Sequence, residues 1–293
     1  MRRLTFAQLT RDGFGNAAAA AAPTAPRLVI YLLATAALGW VSSGSDSSLT
    51  GMLLYGLALV VVLFTGCHWS ASIYRHLIPQ AGAGRHAADT WRLVLANCAV
   101  YLFFFILLFI LGLFLTITAG ILIAVSGFDP VQVDNDPTAI MESLRLLSLT
   151  GGAVTLYVII AVLALAVLWV GLRLFLFGAA TIAERKVTIF SSWAWTKGQV
   201  VPLAGAWICW QGITLVLLSM AADGVLAAFH LPTVYLGQFL LPESTVVAEW
   251  EWAASEVIAT LFTAPVILIG HAMAASAYTR LAPNVVDPDA TFG

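Results

Sequence analysis

Charge is scarce in this sequence, and cysteine is scarcer. Only 10% of its 293 residues are Asp, Glu, Lys or Arg, against 61% that are hydrophobic, and no water-soluble fold hides that much apolar surface. The 13 basic and 15 acidic residues nearly cancel, so there is no basic field to hold nucleic acid. The three cysteines, Cys67, Cys98 and Cys209, form no CxxC pair and have no metal-ligand spacing to a histidine. Inert buried thiols are therefore expected. Also missing are a GxSxG elbow, an HExxH helix, a phosphate-binding P-loop and a dinucleotide fingerprint. His68, His76 and His86 follow one another without a carboxylate at a suitable spacing. The chain is read as a non-enzyme with no metal or cofactor.

What the sequence does have is long uncharged runs, and its mean hydropathy is +0.95. Six runs reach the roughly 20 apolar residues that cross a hydrocarbon core about 30 Å thick. They cover residues 28–45, 47–74, 93–128, 146–172, 199–222 and 257–279, the last interrupted by Pro265. Lipid offers no hydrogen-bond partners, so each must be a helix. The predicted fold is an all-α polytopic transmembrane helical bundle of about six spans. As one helix the third run would reach roughly 54 Å, so it must tilt, protrude or bend near Ala119 and Gly120.

The loops orient the bundle, because short translocated loops are poor in Lys and Arg. With both termini cytoplasmic, Arg145 is the one basic residue left outside, and the outer loops collect Asp46, Asp129, Asp134, Asp136, Glu142, Asp223, Glu243, Glu249, Glu251 and Glu256. Trp40, Trp250 and Trp252 suit an outer interfacial belt, and Trp69, Trp91, Trp193 and Trp195 an inner one. Splitting the third run into a hairpin would move Arg173, Arg185, Lys186 and Lys197 outside, which disfavours that topology.

Three divisions follow: a cytoplasmic surface segment over 1–27, a six-span domain over 28–280 and a cytoplasmic tail over 281–293. The first segment is no signal peptide, since Arg11 and Asp12 interrupt it and its alanine run, 17–22, is too weakly apolar. Phe6, Leu9 and Phe14 are expected to lie on the membrane surface, with Pro23 and Pro26 breaking the segment before the first span. Short stretches mixing aromatic, basic and small residues precede each outward span, but without the identity that would mark true repeats.

Polar residues inside the spans are few and are weighed singly. Gln211 reads as interhelical glue and His271 as a packing histidine, each with a substrate or proton-path role as the sharper alternative. Asp223 and Glu256 fall at the outer ends of the fifth and sixth spans, where they would either solvate helix ends or face a shared cation or proton site. The dipole of the sixth helix would favour Glu256. With Gln211 and His271, these two would serve a small permease or proton-coupled transporter. Pro265 and the small series Gly270, Ala274 and Ala277 would bend and pack the last helix.

At the other end of the bundle, Arg173, Arg185, Lys186 and Lys197 are candidate head-group contacts, with snorkelling to the inner interface from just past the fourth span as the plainer reading of Arg173. Residues 173–205, RLFLFGAATIAERKVTIFSSWAWTKGQVVPLAG, carry a pattern. Arg173 closes a span, a small apolar linker leads to a turn at Glu184 to Lys186, and Ser191, Ser192, Trp195, Thr196, Lys197 and Gly198 precede a new span. This segment resembles the membrane region fused to some bacterial glycerophosphoryl diester phosphodiesterases, and related six-helix inner-membrane proteins. Gly178, Ala179 and Ala180 stand where such linkers often carry a proline. The resemblance implies a bacterial inner-membrane protein concerned with lipid or envelope handling. These residues include no phosphodiesterase domain, so it transfers no active-site residue. Membrane lipid is the expected partner, with a second copy or another membrane protein left open.

Overall fold

The computed structural model describes residues 4–44, 48–79, 86–125, 145, 147–149, 151–233 and 248–282. Among them every regular element is helical, and six helical stretches are long and apolar enough to cross a membrane. The chain is a multi-pass α-helical membrane protein. Its helices are α1 (Phe6–Gly44), α2 (Leu49–Leu77), α3 (His86–Val125), α4 (Gly152–Leu174), α5 (Phe177–Ala183), α6 (Ser191–Trp195), α7 (Val200–Ala206), a π-helical turn (Trp207–Gly212), α8 (Ile213–Ala228) and α9 (Glu249–Leu281). Of the expected loop and tail features, Asp46, Asp129, Asp134, Asp136, Glu142, Glu243 and residues 1–3 and 283–293 lie outside the described residues.

The expected break at Pro23 and Pro26 is not there. α1 runs through both as one helix of 39 residues, so residues 6–27 are its first half rather than a separate surface segment. The reason is facial: both prolines are exposed, while Leu9, Gly13, Ala17, Ala20 and Thr24 are buried at helical spacing on the other side. That face lies along α9 in antiparallel register. Asp12 meets Arg280, Asn16 meets Ser276, and Gly39 stands against Trp252 and Ala253. Tertiary packing holds the helix where two lost backbone hydrogen bonds would otherwise break it.

Other boundaries also move. α3 is helical without interruption for 40 residues, through Ala119 and Gly120. Arg173 falls inside the last turn of α4 rather than beyond it. α9 begins at Glu249, where the Ala248 N–H donates to the Glu251 carboxylate at 2.8 Å. The helix dipole therefore favours Glu249 and Glu251, and Glu256 lies two turns in.

The chain divides into two compact units. Unit 2, Cys98–Gly171, holds most of α3 and α4, and the described residues of those helices are mostly apolar and exposed, as helices bathed in lipid must be. Its Thr116 and Thr118 hydroxyls return to the carbonyls of Gly112 and Phe114 four residues back, leaving no donor to the hydrocarbon. Unit 1, Met1–Asn97 with Leu172–Gly293, contains the core. There Cys67, Ala71, Tyr74, Leu93, Ala179, Ala180, Ala274, Ala275 and Tyr278 pack together, and the many alanines allow close backbone approach. Of the three thiols only Cys67 is buried; Cys98 and Cys209 are exposed on apolar helix surface, contrary to expectation.

Candidate functional site

Several polar side chains of unit 1 gather where the last turns of α2, the first turns of α3 and the last turns of α9 come together, with α5 packed against α2 and α9. Asp89, in the first turn of α3, is completely buried. One carboxylate oxygen accepts from Arg92 one turn along the same helix at 2.8 Å, and the other accepts from Arg75 in the last turn of α2. A buried carboxylate so held ties the end of α2 to the start of α3, and both charges suit their helix ends.

Beside it, Thr90 Oγ1 donates to the His86 carbonyl at 3.1 Å and lies 3.1 Å from His68 Nδ1. The Thr90 hydroxyl thereby holds the His68 ring in place. The His68 and His86 rings lie 4.5 Å apart. Both ring nitrogens of His86 are buried and make no hydrogen bond to another described residue.

On α9, His271 bridges two hydroxyls of α2: Nε2 lies 2.8 Å from Ser70 Oγ and Nδ1 2.8 Å from Tyr74 Oη. A neutral imidazole carries one N–H, so one hydroxyl donates to the ring and the other accepts from it. Both ring nitrogens are satisfied, which is the geometry of a packing histidine. Gly178 of α5 lies against the Tyr74 hydroxyl, where an added Cβ would approach to 2.9 Å.

Gln211 also acts as glue. It sits in the π-helical turn, and its Nε2 donates to the Val266 carbonyl of α9 at 3.3 Å, next to Pro265. Gly270 leaves the space its amide occupies. Asp223 is half-buried on α8, and Glu256 is half-buried on α9 against Gly39 of α1. Gln211 and Asp223 are roughly 18 Å apart along their helix, and Glu256 and His271 roughly 22 Å, at 1.5 Å per residue. The four residues expected to form one intramembrane polar site therefore stand at two levels.

The four candidate head-group residues separate as well. Arg173 is only 6% exposed, with its guanidinium 4.9 Å over the Trp193 ring and its carbonyl accepting from Thr196 Oγ1 at 3.2 Å. It is a buried anchor rather than a snorkelling cation. Arg185, Lys186 and Lys197 are exposed. Arg185 has a left-handed φ of 54°, which turns the chain sharply, and Lys186 pairs with Glu184 at 3.0 Å. The segment is pinned from beneath, where the Thr188 N–H donates to Thr181 Oγ1 at 3.2 Å and Gln199 Oε1 accepts from the Leu4 N–H at 3.0 Å.

No family model, curated protein or solved structure matches this chain. The site must therefore be argued from its own chemistry. Among the described residues no three His, Cys, Asp or Glu side chains gather as a metal would need. The basic end offers two features: an exposed turn carrying the charges of Arg185, Lys186 and Lys197, and a partly enclosed group in which Arg27 stands within electrostatic reach of the His68 and His86 rings. Sequence reasoning missed the second group, and Asp89 with it. The available signal was Asp89 itself, a lone acid three residues before Arg92 in an otherwise acid-free helix.

Proposed function

We propose that this is a non-catalytic protein of a bacterial inner membrane that binds anionic phospholipid at its cytoplasmic face, in the service of lipid or envelope handling. The observation that carries this reading is the exposed turn of Arg185, Lys186 and Lys197, held in fixed shape by the Thr181–Thr188 and Gln199–Leu4 hydrogen bonds. Anionic head groups attract each such cation near the surface by about 1 kcal/mol. Phe190, exposed on the same segment, adds an apolar contact at the membrane surface. The likeness of residues 173–205 to the membrane region of glycerophosphoryl diester phosphodiesterases points toward lipid in the same way.

The experiment is native mass spectrometry of the full chain in neutral detergent with added phosphatidylglycerol or phosphatidylcholine. Wild type should retain phosphatidylglycerol in preference, and the combined Arg185→Glu, Lys186→Glu and Lys197→Glu variant should lose part of that preference. An unchanged preference in the variant would reject this role for the turn.

A further inference from the structure

Positive charge outruns negative among α1, α2 and α3. These helices carry Arg11, Arg27, Arg75 and Arg92 but only two acids, Asp12 and Asp89. Both acids are engaged: Asp12 with Arg11 and Arg280, Asp89 with Arg75 and Arg92. Arg27 is within electrostatic reach of both His68 and His86, and Arg75 of His86. Within this excess stand the two buried ring nitrogens of His86, which find no hydrogen-bond partner on another described residue. Buried polar atoms without partners are costly and uncommon, and they often mark a place for water or an ion.

The surrounding charge decides which ion. A metal cation would face Arg27 and Arg75, whereas an anion would be drawn to them. The forked donors of arginine and a ring N–H match the oxygens of a phosphate group in particular. The depth also fits. Arg27 immediately precedes the first apolar run, His68 lies near the far end of the second, and His86 opens α3 ahead of its apolar run.

We propose that Arg27 and His86 bind the phosphate group of an anionic ligand, with the His68 ring, fixed by Thr90, holding His86 in place. A phospholipid head group and free phosphate both present that group. The site is separate from the Arg185–Lys197 turn and does not depend on it.

The test uses the full chain in neutral detergent with two probes: phosphatidylglycerol, read by native mass spectrometry, and inorganic phosphate, read by titration calorimetry. Wild type should hold one phosphatidylglycerol that the Arg185→Glu, Lys186→Glu, Lys197→Glu variant also holds. Arg27→Gln and His86→Gln should each weaken that binding at least tenfold. Saturable phosphate heat that disappears in Arg27→Gln, without retained lipid, would support the same site with a soluble ligand. His86→Phe, which keeps the ring against His68, replaces His86→Gln if the latter does not fold. Wild type binding neither probe would overturn the proposal, whatever the variants do. So would Arg27→Gln and His86 variants that bind like wild type, even if the turn variant loses lipid and so supports the turn's own role.

Discussion

Asn16 and Ser276, 260 residues apart in the chain, are joined by a 2.9 Å hydrogen bond from the asparagine Nδ2 to the serine Oγ. This bond, one turn from the Asp12–Arg280 ion pair, ties the first helix of the chain to the last and fixes their register. At the far end of the same pair the helices touch through Gly39.

Gly39→Ala should destabilise the protein by about 1–3 kcal/mol, because the new Cβ would lie 2.7 Å from the Trp252 carbonyl oxygen, a backbone atom that cannot turn aside. Gly56→Ala on α2 meets nothing within 4 Å and should be neutral or slightly stabilising. Thermal unfolding in detergent compares the two.

Gly270 and Gln211 should behave as a coupled pair. Gly270→Ala drives a Cβ into the Gln211 amide and should cost about 1–3 kcal/mol, whereas in a Gln211→Ala background the same change should cost far less. A double-mutant cycle of unfolding free energies reads the difference. Additive effects would mean the two helices do not meet there.

Asp89→Asn should be among the most damaging single changes, at about 3–5 kcal/mol, since it removes the buried carboxylate between Arg75 and Arg92. Arg92→Gln should be milder, because the Arg92 side chain is one-third exposed and water can replace part of the interaction. Yield of monodisperse protein and its melting temperature rank the two.

His271→Phe keeps the ring volume but strands the Ser70 and Tyr74 hydroxyls, and should cost about 1–3 kcal/mol. Adding Ser70→Ala and Tyr74→Phe should restore much of the loss, because no buried polar atom is then left unmatched. Failure of that rescue would mean His271 does more than pack.

These residues also show what could be read in the sequence. The six spans were legible because lipid imposes one solution on any long apolar run. Gln211 as glue and His271 as a packing group were legible because a single polar residue in a span needs a partner on the next helix. The continuity of α1 was not, since it depends on which face of Pro23 and Pro26 meets α9, more than 200 residues away. Arg173 looked like a span-end cation, whereas in the fold it is buried with Trp193 lying over its guanidinium. The pairing of His68 with His86 depends on how the end of α2 packs against the start of α3, which local pattern does not encode.

The most direct test of the lipid-binding account places a fluorescent label at the turn itself. In a chain with Cys67, Cys98 and Cys209 replaced, Phe190→Cys carries a bimane, and the protein is reconstituted in nanodiscs containing spin-labelled phosphatidylglycerol or spin-labelled phosphatidylcholine at equal mole fraction. Stronger quenching by the phosphatidylglycerol probe, reduced to parity when Arg185, Lys186 and Lys197 are reversed to glutamate, is the predicted result. Equal quenching by the two lipids in the protein with its native charges would contradict the account.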